Sequence, residues 1–349
     1  MRKYTVDVIA GDGIGVEVMP PALRAIDALA GRHGFEVAWR ERDWSSERYR
    51  KDGAFMPEDG IEQLADGDAV FLGAVGDVDI PDHVTLWGLL IPFRREFRQY
   101  VNLRPMRMLP GIAPTSSRAE GLDVVIVREN TEGEYSEVGG RVHRGEPDEF
   151  AVQEAVFTRK GISRVARFAA QLAQQRSGRI VSATKSNGII HSMPFWDEVV
   201  AETVAEYEGV EVEPVLIDAL AARTVLKPTS LDVVVASNLF GDILSDLAAA
   251  VAGSIGIAPS ANLNPEREFP SMFEPVHGTA PDIVGQGKAN PVGTLWAGAM
   301  MLEHLGEREA AAELTAAFEG VLGDGVSTPD LGGSASTEDF GAAVLDKLR

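Results

Sequence analysis

The sequence predicts an α/β protein built on a mostly parallel sheet. Three observations carry that prediction. Short β-branched runs alternate with longer stretches of helical spacing. The first run ends in a glycine turn, Gly11-Asp-Gly-Ile-Gly15, that opens a helix. Most of the later runs hold an apolar core, AVFLGAV, VVIV and VVVA, as buried strands do.

Taken in order, Tyr4 to Ala10 (YTVDVIA) reads as the first strand and Val16 to Gly31 as the first helix, with the paired prolines at 20 and 21 a local anomaly. Residues 68–76, 123–130, 179–187 and 232–240 read as further strands. Helical spacing covers Ile162 to Gln175, Met193 to Tyr207, Gly241 to Ala252 and Val292 to Leu305. In such a sheet ligands sit at the carboxyl ends of the strands. The stretch 136–159 differs, reading as two extended arms around a turn. No internal repeat, low-complexity segment or linker marks a boundary.

The chain of 349 residues suggests two domains and can bury a large core. Its 45% hydrophobic and 24% charged residues are the proportions of a soluble globular protein. Subtracting 53 acidic from 32 basic residues gives −21, a charge that repels nucleic acid and anionic lipid, so neither is expected as a partner. The absence of cysteine excludes disulfides, thiolate catalysis and cysteine-ligated metal sites. The opening apolar run is short and broken by Asp7, unlike a signal peptide, and no apolar run is long enough to span a membrane. A soluble, cytoplasmic protein is expected.

Four constellations carry chemistry. Asp242 and Asp246 lie four apart in NLFGDILSDLAAAVAG, on one face of a helix, where like charges repel unless a cation sits between them. They could equally favour the helix macrodipole. Asp218, ending the run VEPVLID, is a third oxygen donor, and three carboxylates without His or Cys suit a hard ion such as Mg2+ or Mn2+. Arg94, Arg95, Arg98 and Arg104 concentrate basic charge in PFRREFRQYVNLRP, and Arg128 follows a buried strand. They are either forks for carboxylates or a solvated face paired with acids. Lys185, at a strand end in SATKSN, is a base or a surface lysine, and Tyr135 is an acid or a packed aromatic. The glycine turn is not the dinucleotide fingerprint, whereas the long loop EPVHGTAPDIVGQGKANP (274–291), with His277 and Asp282, has the length of a functional loop.

Together and in this order, Gly-Asp-Gly-Ile-Gly, NLRP, VREN-TEGEY, TKSN, NLFGDILSD and EPVHG-APDI-G-ANP resemble the metal-dependent β-decarboxylating dehydrogenases. That family comprises isopropylmalate, isocitrate, homoisocitrate and tartrate/D-malate dehydrogenases. The resemblance runs from Asp7 to about Gly333, and the NLFGDILSDL block is its most specific part. It implies an isocitrate/isopropylmalate dehydrogenase-like, non-Rossmann α/β fold in which two domains share a mixed sheet. One domain would combine 1–100 with 253–349 and hold NAD. The other, 101–252, would hold metal and substrate and form a homodimer through a β-arm at about 136–159.

The resemblance also implies roles. Arg94, Arg104 and Arg128 would clamp the carboxylates of a small dicarboxylic 2-hydroxy acid. Asp242 and Asp246, with Asp218 from the partner subunit, would ligate the metal. Lys185, also from the partner, would be the base for the C2 hydroxyl, and Tyr135 the acid that protonates C3. NAD would meet Ile14, Ala74, Val75, Glu274, His277, Gly278, Thr279, Ala280, Pro281, Asp282 and Asn290, with Asp282 on the adenosine ribose. A monovalent cation such as K+ is compatible with the resemblance.

The segment PDHVTLWGLLIPFRREF is closest to the tartrate/D-malate dehydrogenases (decarboxylating), and Trp87 stands where isopropylmalate enzymes carry glutamate. D-malate or tartrate is therefore the expected substrate, with 3-isopropylmalate the alternative and a non-catalytic metabolite-binding regulatory subunit a distant one. Trp87 and Leu89 are expected to fill the C3 pocket. Two departures stand out: Leu89 replaces a frequent serine, and Pro92 is expected to end or kink the helix before Arg94.

Overall fold

The computed structural model describes residues 1–349. Along the chain, the first hundred residues form β1 (Arg2–Gly11), α1 (Gly15–His33), β2 (Phe35–Glu41), α2 (Ser46–Asp52), α3 (Gly60–Leu64), β3 (Ala69–Ala74), α4 (Asp82–Thr85) and α5 (Ile91–Glu96), with a π-helical turn, Leu86–Leu90, before α5. The middle forms β4 (Val101–Arg107), β5 (Asp123–Glu129), β6 (Gly139–Val142), β7 (Phe150–Gln153), α6 (Arg159–Gln174), β8 (Arg179–Thr184), α7 (Ser192–Val204), β9 (Glu211–Leu216), α8 (Ile217–Leu226), β10 (Val233–Ala236) and α9 (Asn238–Ala252). The remainder forms β11 (Pro259–Leu263), β12 (Ser271–Pro275), α10 (Val292–Leu305), α11 (Arg308–Gly323) and α12 (Thr337–Lys347).

These elements group into two compact units. The first contains Met1–Gln99, Arg107–Ser117 and Ala249–Arg349; the second contains Tyr100–Met106 and Arg118–Ala248. Residues 107–117, which the sequence reading assigned to the middle domain, thus belong with the termini. In this stretch Gly111 adopts φ +75°, and an added Cβ would lie 2.0 Å from the carbonyl oxygen of Leu322 in α11.

In the first unit the strand order is β2-β1-β3-β12-β11, parallel except for the antiparallel pair β11–β12. Each residue of β3 is buried, as its unbroken apolar run requires of a strand covered on both faces. α1 continues through Pro20 and Pro21, leaving the carbonyls of Val16 and Glu17 without their usual amide partners. Its packing explains the tolerance, because Pro21 rests on Gly341 of α12, where an added Cβ would come within 2.6 Å of it. α10 is buried along most of its circumference, which fits its apolar sequence.

In the second unit the order is β4-β5-β10-β8-β9, with parallel pairing from β5 to β9. α6 is sharply amphipathic: Ile162, Val165, Ala166, Ala169, Ala170 and Ala173 are buried. The two extended arms expected within 136–159 are the antiparallel hairpin β6–β7, all of whose residues are exposed. No helix of the protein is long and apolar enough to cross a membrane.

Candidate active site

In the second unit, α9 brings the acids of NLFGDILSD against two arginines. Arg104, on β4, donates through Nη1 to Asp242 Oδ1 at 3.2 Å and to Ser245 Oγ at 2.6 Å, and lies 3.6 Å from Asp246 Oδ1. Arg128, at the end of β5, is almost wholly buried. Its Nε and Nη2 donate to Asn238 Oδ1 at 3.1 and 2.7 Å, and its Nη1 pairs with Asp242. The Tyr135 hydroxyl donates to Asp242 Oδ2 at 2.9 Å, and the Arg128 guanidinium stands 5.5 Å from the centre of the Tyr135 ring. Glycine at 241 permits this approach, since an added Cβ would lie 2.6 Å from Arg128 Cβ. Partial burial pushes the Asp246 carboxyl above the usual range; Arg104 opposes the rise and Asp242 adds to it.

The acidic phrase TEGEY sets this geometry. Glu134 accepts from Ser237 Oγ at 2.7 Å and from the Leu239 amide at 3.1 Å, satisfying the first turn of α9. Glu132 does the same for α6 through the amide and hydroxyl of Thr158, at 2.9 and 2.8 Å. Glu129 is buried beside them and accepts from the Thr131 and Glu132 amides, at 2.9 and 2.8 Å. Burial pushes its carboxyl upward. The sequence reading singled out Tyr135 and missed these acids, together with Asn238 and Ser245. No local signal pointed to the capping acids, because Glu134 lies 103 residues before Ser237 and Glu132 lies 26 before Thr158.

Lys185, just past β8, donates to Asp218 Oδ1 on α8 at 2.8 Å, and that bond holds the Asp218 carboxyl below its ordinary value. The pair shares no hydrogen bond or ion pair with Asp242 or Asp246. A single chain therefore assembles two of the three expected metal ligands, and nowhere gathers three acidic or histidine side chains in metal-binding proximity. The two that meet offer only carboxylate oxygen on one helix face, a donor set that suits Mg2+ or Mn2+.

In the first unit, Arg94 is buried on α5 with its Nη2 3.5 Å from Glu274 Oε1, which also accepts from Asn262 Nδ2 at 2.8 Å. Glu274 is thus a buried partner of Asn262 and Arg94. Pro92 does not end the helix. The Ile91 amide reaches back to the Leu86 carbonyl, five residues earlier, and the π-turn carries the chain into α5. Leu89, expected in the substrate pocket, is fully buried with Phe93 and Phe97 in the core. Trp87 lies under Arg95, whose guanidinium is 4.9 Å from the ring centre.

The glycine turn after β1 is a clasp. The Ile14 amide donates to the Thr279 carbonyl at 3.0 Å, and a Cβ on Gly13 would stand 2.2 Å from that oxygen. Ile14 packs with Val18 and Ala289, against Ala280 and Ile283. The Asp12 carboxylate accepts from the Ser46 amide at 2.9 Å, the Ser46 hydroxyl at 2.7 Å and the Gly76 amide at 3.0 Å. Its own amide donates to Ala74 O at 2.7 Å. Four separate backbone segments, including those of Ile14, Ala74, Val75 and Gly278–Asp282, are locked together.

His277 Nδ1 donates to the Gly278 carbonyl at 3.0 Å, so Nε2 carries the lone pair. That buried Nε2 has no partner in the protein, and burial pushes the imidazole pKa down, keeping it neutral. An orphaned acceptor between clasped loops fits a bound dinucleotide. Asp282 is exposed, while Asn290 is committed to the Val292 amide and to Asp330, both at 3.0 Å.

The family described as isocitrate/isopropylmalate dehydrogenase matches residues 5–344. The chain is 50% identical to a probable tartrate dehydrogenase/decarboxylase of Bacillus subtilis over 100% of its length and 99% of that protein. It is 51% identical to the D-malate dehydrogenase (decarboxylating) of Escherichia coli over 99% and 98%. Among solved structures, the isocitrate dehydrogenase of Methylococcus capsulatus superposes with a TM-score of 0.90 at 33% identity, covering 100% of both chains. The fold is therefore isocitrate dehydrogenase-like, a mixed sheet flanked by helices.

Proposed function

Because the chain belongs to the isocitrate/isopropylmalate dehydrogenase family and is an enzyme of its decarboxylating dehydrogenase type, we propose that it oxidises and decarboxylates D-malate to pyruvate with NAD, and oxidises tartrate as a second substrate. The observation that carries this reading is the cluster on α9: two arginines, two carboxylates and a phenol meet there, the groups needed to hold a carboxylate, a cation and a proton. The relatives named for tartrate and D-malate support the choice of substrate.

In this reading Arg94, Arg104 and Arg128 bind the substrate carboxylates as rigid forks. Lys185 takes the C2 hydroxyl proton. Tyr135, its hydroxyl oriented by Asp242, delivers a proton to C3 once carbon dioxide has left. Asp242, Asp246 and Asp218 would hold a Mg2+ or Mn2+ ion, which would supply Lewis acidity, and a bound dinucleotide would supply the hydride acceptor. Burial of Arg128 and the caps from Glu132 and Glu134 hold the cluster still, so its charges need no rearrangement during the reaction.

Lys185 and Asp218 act on the partner's cluster. Their separation from Asp242 and Asp246 within one chain supports that, as does the hairpin β6–β7, whose Val142, Phe150 and Val152 are exposed at 44%, 51% and 44%. NAD is preferred to NADP because the exposed carboxylate of Asp282 accepts from a ribose diol and repels a 2′-phosphate. A steady-state screen of D-malate, L-tartrate and 3-isopropylmalate, each with NAD+ and NADP+ in Mn2+, tests the reading. D-malate with NAD+ should give the highest kcat/KM. A higher value for 3-isopropylmalate, or for NADP+, would overturn the respective assignment.

A further inference from the structure

The π-turn before α5 changes which side chains share a face with Arg94. In an uninterrupted α-helix, residues seven apart line up to within about 20°, whereas residues eight apart differ by about 80°. Position 87 would then stand on the stripe of Arg94. A turn closed by a bond spanning five residues takes up one residue more than an α-turn. The segments on either side are therefore registered as though one residue fewer separated them. Trp87 shifts by about 100° to the stripe of Arg95, and Leu86, eight before Arg94, takes the place of a residue seven before it.

One contact across the turn agrees with this register. The Arg95 guanidinium lies 4.9 Å from the Trp87 ring centre, a stacking between residues eight apart that an α-helix would splay. Leu89, Phe93 and Phe97, at intervals of four, form the core stripe on another side. Leu90 packs against that core stripe, which leaves half-buried Leu86 on the side of Arg94. Pro92 accounts for the turn, since its missing amide and its ring oppose a regular bond to the carbonyl of Gly88.

We propose that Leu86, and not Trp87, is the specificity-determining residue that limits the substrate's C3 substituent, because the π-turn places it on the face that carries Arg94. This inference rests on the proposed dehydrogenase reaction. A leucine there leaves room for the hydrogens or hydroxyl at C3 of malate or tartrate and clashes with a branched alkyl group.

The test compares Leu86→Ala with Trp87→Ala in the full-length enzyme. Leu86→Ala should raise the ratio of kcat/KM for 3-isopropylmalate to that for D-malate by about tenfold or more, the scale on which a pocket discriminates small apolar groups. Trp87→Ala should move it less than about threefold. Equal shifts, no shift from Leu86→Ala, or a larger shift from Trp87→Ala overturn the inference. A wild type inactive on all these acids refutes the proposed reaction instead, and the register is then read without substrate. In protein labelled with 5-fluorotryptophan, the Trp87 signal, assigned with Trp87→Phe, should shift on Arg95→Ala; a signal that stays in place overturns the register.

Discussion

At α9 the candidate site is made of side chains, two carboxylates and a phenol drawn together by Arg104 and Arg128. After β1 and β12, in the first unit, a separate candidate region is made of backbone, with the amide of Ile14 on the carbonyl of Thr279 and three donors converging on Asp12. The first region is sensitive to charge, because each partner there offsets another in a partly dry environment. The second is sensitive to volume, because its loops approach closer than any Cβ allows. Substitutions that respect shape but remove charge should therefore injure the first most, and substitutions that add a methyl group should injure the second.

The largest effect is expected from the charged region. Asp246→Asn keeps shape and removes charge, and should cut kcat/KM by about a thousandfold, the several kcal/mol that a cation contributes to a charged transition state. Its thermal midpoint should stay within a few degrees of wild type. Exhaustive chelation should stop turnover, with Mn2+ restoring it. Activity within tenfold of wild type in the variant would break the distinction between the two regions.

Gly241→Ala comes next, because it tests whether the charged region also depends on volume. A Cβ placed 2.6 Å from Arg128 Cβ must displace the buried guanidinium, and a loss of about a hundredfold in kcat/KM is expected from the shifted fork. Unchanged kinetics would mean that Arg128 needs no fixed position. In the clasped region, Gly13→Ala meets the Thr279 carbonyl and places a side chain at φ +58°. It should raise the KM for NAD+ about tenfold while leaving Mn2+ affinity unchanged. An equal loss of metal affinity would show that the two regions are not separable. The smallest effect should come from Asp12→Asn, which removes charge where shape matters. A rise of about threefold in the KM for NAD+, with kcat preserved, is expected from three weakened hydrogen bonds. A collapse of kcat would show that the clasp depends on charge after all.

The same contrast explains what could be read along the chain. Asp242 and Asp246 were legible because helical periodicity alone puts residues four apart on one face, and β3, β5 and β10 because their cores are unbroken apolar runs. Buried β11 (PSANL) and β12 (SMFEP) lack such a run and went unread. β2 and β4 escaped notice because FEVAWRE and VNLRPMR mix charge with apolar residues. Of the two outcomes expected at Pro92, an ended or a kinked helix, the helix does not end and the interruption is the π-turn before it, while Leu89 turns into the core. The partners of Glu274 and Asn290, Asn262 and Asp330, could not be read from the loop because they lie elsewhere in the sequence. Asp12 was hidden for the same reason, its donors being at 46 and 76.

In the proposed dimer, Lys185 and Asp218 of a second copy complete the cluster on α9. Mixing Lys185→Ala with Asp242→Asn under conditions of subunit exchange tests it most directly. Each parent should be inactive. Random exchange in an isologous dimer makes half the dimers mixed, each with one intact site and one doubly altered site, so about a quarter of wild-type activity should return. No recovery, with mixed dimers demonstrated by mass spectrometry, would contradict the claim and place the whole site within one chain.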